Sequence, residues 1–196
     1  ACGGTMAILK TAGRMADRMQ IGTGVKFALG ENPKSVYNDR DETPITRMAT
    51  AAMIREGLAK AQRYQQELDF AESDPDEHMP DYDAKSEALL PLLERDVKAH
   101  FHCHRADDIC TAIRIAKESN LDYVIIHGTE GHLIADILAE ENAPVIAGPI
   151  LCDRCKPEMQ HLTISGPSIM QKAGVKLALC TDHPVIPIQY LPTTAA

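Results

Sequence analysis

From residue 97 onward the chain alternates short apolar strands with amphipathic helices. We predict strands at 97–105, 122–127, 144–147 and 175–181, and helices at 106–118, 130–141 and 167–173. Helices spaced in this way are the usual crossovers between parallel strands, and such crossovers are right-handed. The pattern therefore predicts an α/β fold built on a parallel sheet.

The first half of the chain also contains predicted strands and helices, but they alternate less regularly. Residues 5–9 and 25–29 are short apolar runs that predict strands, and apolar positions recur at helical spacing over 44–70. Residues 71–83 are rich in Asp, Glu and Pro, which predicts a solvated acidic loop. A second helix, over 85–95 and interrupted by Pro91, is expected to lead into the strand that starts at residue 97.

The two ends of the chain suggest a piece of a longer protein. The sequence opens Ala1-Cys2-Gly3-Gly4 without an initiator methionine, and it stops at 193–196, where a further helix begins. We therefore expect 1–196 to be a single domain that is a fragment of something larger.

Charge and composition exclude several classes of partner. The net charge is −8, and no basic run offsets it, so neither nucleic acid nor an acidic membrane surface is an expected partner. No apolar run approaches a membrane span, and no signal-peptide pattern is found. The six cysteines are scattered, and the one close pair, Cys152 and Cys155, lacks a second pair to close a zinc site. Reduced thiols in a cytoplasmic protein are the expectation.

Three histidines alternate in the strand predicted at 97–105. Successive side chains of a strand point to opposite faces, so His100, His102 and His104 share one face. Val97, Ala99, Phe101 and Cys103 share the other face, which is apolar and suited to packing under helices. A solvated edge strand alternates in the same way, so this segment alone leaves both a metal site and an edge strand open.

The ends of the other strands favour a metal site. Parallel strands of an α/β fold all end at the same rim. That rim collects acids and imidazoles from distant segments, namely Glu31, His102, His104, His127, Asp182 and His183. Lys26, Lys98 and Lys176 come earlier in their strands and are expected at the opposite mouth. Imidazole nitrogens with one or two carboxylates suit Zn²⁺, with Mn²⁺ or Fe²⁺ as alternatives.

These strand ends also carry a family resemblance. Four segments, 29–34, 102–108, 127–130 and 181–185, read LGENPK, HCHRADD, HGTE and TDHPV. They resemble the amidohydrolase superfamily, and within it the imidazolonepropionase-like branch. The resemblance implies part of a (β/α)8 TIM-type barrel with parallel strands that lacks the early strands, since a complete barrel takes ~250 residues.

The resemblance also implies a ligand set for one or two divalent ions. It makes His102 the fifth-strand ligand, His127 the sixth-strand histidine and Asp182 the eighth-strand aspartate. For the fourth-strand position Glu31 is the expected ligand, with Lys34 as the alternative. The His-x-His pair of the family's first strand is absent. His100 and His102 have that spacing but lie on the fifth strand.

The implied chemistry is hydrolysis of a C–N bond in an amide, often a cyclic one, by metal-activated water. Asp182 would act first as general base and then as general acid, and His127 would bind the metal or stabilise the oxyanion. Arg105 or His104 would bind a substrate carboxylate, although pairing of Arg105 with Asp107 or Asp108 is equally expected. His183 is a further candidate near the substrate.

Two other functions stay open. A non-hydrolytic metal enzyme, such as an isomerase or decarboxylase, can use the same scaffold, because a fold does not fix a reaction. An inactive truncated fragment is the second. The expected partners are a small-molecule substrate and the missing half of the barrel, with a homo-oligomer as a further expectation.

Overall fold

The computed structural model describes residues 2–10, 12–15, 19–74 and 76–196, and its centre is a six-stranded sheet. The strands are β1 (Cys2–Leu9), β2 (Gln20–Ala28), β3 (Lys98–Cys103), β4 (Tyr123–His127), β5 (Val145–Ala147) and β6 (Leu177–Leu179). They lie side by side in chain order, and every pair from β2 to β6 is parallel. The fold is mixed α/β with a mostly parallel sheet, as expected for part of a barrel.

The prediction of parallel strands throughout is wrong at β1, which pairs antiparallel with β2. Only residues 10–19 separate these two strands, and a crossover between parallel strands needs a dozen or more residues. The backbone N–H of Lys10 donates to the carbonyl of Met19 at 2.8 Å, which closes the connection as a hairpin.

The helices that follow the strands cover the sheet. They are α1 (Glu31–Asn38), α2 (Arg47–Ser73), α3 (Ala84–Glu87), α4 (Leu90–Leu93), α5 (Ala106–Glu118), α6 (Ala135–Glu140), α7 (Gly166–Lys172) and α8 (Leu191–Ala195), with short 3₁₀ turns at Gly131–Ile134, Pro157–Met159 and Ile188–Tyr190. Within the described ranges, none of these helices combines the length and the apolarity that crossing a membrane requires.

Helix α2 has a side-chain cap at its start and extends farther than the sequence predicts. The hydroxyl of Thr46 accepts the backbone N–H of Ala49 at 3.1 Å and caps the first turn. The helix continues to Ser73, so the first residues of the segment predicted as an acidic loop are helical. Farther on, the predicted helix over 85–95 is divided into α3 and α4, because Pro91 is favoured in a first turn and not within a helix.

Strand β3 lies at the centre of the core, as its alternation predicts. Ala99, Phe101 and Cys103 are fully buried on the apolar face. The ring of Phe101 stacks on that of Phe27 in β2, with centroids 5.1 Å apart. Buried residues of α5, among them Ile109, pack in the same cluster. Because this face of β3 packs against the helices, the histidine side chains on the other face point away from them.

Candidate metal centre

Three buried histidines meet where β3 and β4 end. His102, His104 and His127, called the histidine trio below, offer ligand nitrogens that all lie within 4.8 Å of one another. The two strands pair in parallel with Cys103 opposite His127, so both strands end at the same level. The sheet register thus brings together side chains that are more than twenty residues apart in sequence.

The rings of the histidine trio pack directly against one another. His104 and His127 are stacked, with centroids 4.7 Å apart and planes at 12°. His102 meets both rings edge-on, at centroid distances of 5.0 Å from His104 and 4.5 Å from His127. All three residues are at most 5% exposed, so water has little access to their rings.

Two of the rings are held by hydrogen bonds through Nδ1. His127 donates from Nδ1 to the carbonyl of Gly148 at 2.5 Å, and this bond places its lone pair on Nε2. His104 Nδ1 is 2.7 Å from the hydroxyl of Thr129. A metal-binding histidine is commonly oriented in this way, with one nitrogen tied to the protein and the other left for the ion.

The electrostatic environment keeps the trio neutral. Burial is the largest cause of the low pKa values of His102, about 2, and His104, about 3, and it also lowers the pKa of His127. The positive charges of Lys26 and Lys156 are smaller causes of the low pKa values of His102 and His127. Lys26, expected at the opposite mouth, therefore acts on the trio. At neutral pH the three imidazoles keep the lone pairs that a cation needs.

Asp182 shares a cavity with two of the three histidines. The cavity has a volume of about 1020 Å³, and its lining includes His102, His104, Asn32 and Asp182, with Ile150 among the apolar residues of its wall. Asp182 follows β6 and is exposed, and its backbone φ of 50° is in the left-handed region. The charge of Asp182 raises the pKa of His127, which places the carboxylate in the electrostatic range of the trio.

The structure does not bring Glu31 into the trio. Glu31 begins α1, and its carboxylate binds the ammonium of Lys34 at 3.1 Å and the guanidinium of Arg47 at 2.9 Å. Arg47 also binds the buried carboxylate of Asp108 at 3.1 Å. The pair with Lys34 lies within α1, and Arg47 links α2 both to α1 and, through Asp108, to α5. The carboxylate oxygens of Glu31 are therefore already paired with two cationic side chains.

The residues predicted to bind substrate lie in three different environments. His104, expected to meet a substrate carboxylate, belongs to the trio. Arg105 forms two hydrogen bonds to the carboxylate of Asp107, at 2.9 and 3.0 Å, which is one of the two pairings expected for it. His183 is exposed beside Asp182.

Glu158 is a buried acid near the trio that sequence patterns did not single out. Its Oε2 accepts the backbone N–H of Glu31 at 2.8 Å, and its Oε1 lies 3.8 Å from Nε2 of His104. Burial raises the pKa of this carboxyl group. Gly30 makes room for it, because a Cβ at residue 30 would lie 2.5 Å from Glu158 Oε2. Glu158 belongs to a 3₁₀ turn between β5 and α7, where no periodic pattern marks it.

Asn32 and Lys156 are two further residues that sequence patterns missed. Both line the cavity, and the ammonium of Lys156 donates to Oδ1 of Asn32 at 2.5 Å. Nδ2 of Asn32 is 3.1 Å from Nε2 of His102. Nearby, Cys152 and Cys155 line the same cavity as free thiols.

Comparison with known proteins gives one informative match. No protein-family model matches the chain, and no curated protein matches it. A solved structure does: the crystal structure of an amidohydrolase from Thermotoga maritima MSB8 is 40% identical, with a TM-score of 0.94. This likeness supports the amidohydrolase family. The match covers 99% of this chain and 51% of the Thermotoga amidohydrolase, so the chain spans about half the length of that protein.

The name of the Thermotoga protein suggests a hydrolase. The histidine trio is a group that could hold the metal on which amidohydrolases usually depend.

Proposed function

We propose that the chain is part of a metal-dependent amidohydrolase that hydrolyses the C–N bond of a small amide, either cyclic or open-chain. The observation that supports this most strongly is the buried, neutral histidine trio at the ends of two adjacent parallel strands. The likeness to the Thermotoga amidohydrolase supports the same class of reaction.

The residues present fit a divalent cation. Three neutral imidazoles form a donor set typical of catalytic zinc sites, and Zn²⁺ is the ion that we propose. His102, His104 and His127 would hold it, and Asp182 is the proposed carboxylate ligand. Glu31, also expected as a ligand, would first have to release Lys34 and Arg47.

A bound divalent ion would lower the pKa of water and polarise the amide carbonyl. Asp182, on the same cavity, would accept a proton from the attacking water and return it to the leaving nitrogen. His127 keeps its orientation through the carbonyl of Gly148.

We further propose that the complete protein is a (β/α)8 barrel of the imidazolonepropionase-like branch. The parallel strands β2 to β6 would be its later strands, and the motifs at 102–108, 127–130 and 181–185 support this assignment. The remaining length of a protein like the Thermotoga amidohydrolase would supply the early strands and their His-x-His pair.

Metal analysis together with an amide-hydrolysis panel tests the proposal. Titration with Co²⁺ or Zn²⁺ should show specific binding that is lost in His127→Ala and kept in His78→Ala, because His78 is exposed in the loop after α2. Release of amine or carboxylate from a panel of cyclic and acyl amides, assayed with the protein extended to barrel length, should require His127. Equal metal binding by both variants would contradict the proposed centre, and turnover without cleavage of a C–N bond would contradict the proposed reaction.

A further inference from the structure

A hydrogen-bonded path runs from Lys156 through Asn32 to His102. The Lys156 ammonium is 2.5 Å from Oδ1 of Asn32, and Nδ2 of Asn32 is 3.1 Å from Nε2 of His102. All three side chains line the cavity. The path joins the end of β3, the first turn of α1 and the segment before the 3₁₀ turn at Pro157–Met159, so no single element explains it.

The chemistry of these groups fixes the direction of each bond. An ammonium group only donates, so the atom of Asn32 that faces Lys156 must be the carbonyl oxygen. The amide nitrogen of Asn32 then faces His102, and an amide NH₂ also only donates. Nε2 of His102 must therefore accept, which requires its lone pair to be on Nε2 and its proton on Nδ1.

Lys156 is itself held in place by a buried charge. Its ammonium lies 3.8 Å from Oε1 of Glu158, an oxygen that has no hydrogen-bond partner among the residues that the structure describes. The side chain of Glu158 is completely buried, whereas that of Lys156 is 37% exposed. The carboxylate therefore attracts the ammonium inward, toward Asn32 and away from solvent.

We infer that Lys156 is a positioning residue that fixes the tautomer of His102, with Asn32 as the intermediate. The inference rests on the proposed function in one respect: the tautomer affects function only if His102 belongs to the proposed metal centre. With the proton on Nδ1, Nε2 offers its lone pair to the cavity. Asn32 occupies that lone pair in the structure and would release it to an incoming cation.

Long-range ¹H–¹⁵N NMR of the histidine rings in metal-free, ¹⁵N-labelled protein tests the inference directly, because the two tautomers give different cross-peak patterns. The unchanged protein should show His102 protonated on Nδ1 alone. Asn32→Asp replaces a donor with a carboxylate that only accepts, so Nε2 of His102 should become protonated. His102 protonated on Nε2 in the unchanged protein, or an unaltered Nε2 in Asn32→Asp, would overturn the inference.

Three lysine variants separate the positioning role from general structural damage. Lys156→Met removes the donor and frees the Asn32 amide to turn, so His102 should show a mixture of tautomers. Lys156→Arg keeps a donor and should restore the single tautomer. Lys34→Met is the matched control, because Lys34 binds Glu31 in the same region, and it should leave His102 unchanged. A single tautomer in Lys156→Met would overturn the inference.

Co²⁺ titration of the same proteins adds a second result that does not depend on turnover. Asn32 occupies the lone pair that the ion needs and the Lys156 ammonium repels a cation, so Lys156→Met should bind Co²⁺ more tightly, with a Kd lower by about two- to tenfold. If the unchanged protein binds no Co²⁺, the proposed metal centre fails, while the NMR result still decides the tautomer. If it binds Co²⁺ and Lys156→Met binds equally well or more weakly, the role of Lys156 at His102 fails alone.

Discussion

Replacing Gly148 with alanine should disturb both the fold and the candidate metal centre. Gly148 has a φ of 135°, a conformation that L residues rarely adopt, and its carbonyl accepts Nδ1–H of His127. An added Cβ would overlap the backbone oxygen of Cys180 and lie 3.0 Å from its carbonyl carbon and 3.2 Å from its Sγ. The disfavoured backbone should cost about 1–3 kcal/mol and the overpacking about 1–3 kcal/mol more, so we expect a loss of about 2–6 kcal/mol in the free energy of unfolding.

Gly174→Ala is the matched control for this prediction. Gly174 also has a positive φ, of 94°, but an added Cβ there would meet nothing within 4 Å. It should therefore show only the backbone cost, about 1–3 kcal/mol. Urea unfolding measures the two losses, and Co²⁺ titration should show affinity reduced by about 10- to 100-fold in Gly148→Ala alone, because the carbonyl that orients His127 moves. Equal stability of the two variants, or unchanged Co²⁺ affinity in Gly148→Ala, would refute this reasoning.

Three further changes have definite expected outcomes. Arg47→Met should lower the free energy of unfolding, measured in urea, by about 3–5 kcal/mol, because it leaves the buried carboxylate of Asp108 unpaired. Arg105→Met removes only an exposed ion pair and should lower it by at most about 1 kcal/mol. Similar losses in the two variants would contradict the view that the Arg47–Asp108 pair is buried and stabilising. The folded-state pKa of His104 is about 3, against 6.5 unfolded, so the unfolded state binds more protons between these values and stability should fall as pH drops below about 6.5. His104→Gln should reduce that slope by up to about 1.4 kcal/mol per pH unit, and a slope equal to that of the unchanged protein would show that His104 is not held neutral. Phe101→Ala removes a fully buried ring and should cost about 3–5 kcal/mol in the same unfolding assay, and a loss below about 1 kcal/mol would place the ring outside the core.

The parts of the fold that depend on local patterns could be predicted from the sequence. The helix over Ala106–Glu118 was predicted with the bounds that the structure has, because its apolar residues recur at helical spacing. The alternation in β3 correctly separated the apolar face that contains Phe101 from the histidine face. The antiparallel pairing of β1 with β2 was missed, because an apolar run predicts a strand but not whether it runs parallel or antiparallel to the strand beside it.

The candidate site was predictable only where side chains follow strand ends. His102 and His127 come together because parallel strands end at one rim, a rule that needs no knowledge of side-chain contacts. Ion pairs across long sequence separations were invisible, so nothing indicated that Glu31 would bind Arg47. Glu158 lies in an irregular segment, and its proximity to His104 depends on how that segment folds back over α1.

Anomalous diffraction from crystals of the protein grown with Zn²⁺ would test the metal centre most directly. Data collected on both sides of the zinc absorption edge should show a peak bound by nitrogens of His102, His104 and His127. A peak at Cys152 and Cys155 with none among the three histidines, or an empty trio at a Zn²⁺ concentration that fills other sites, would contradict the account.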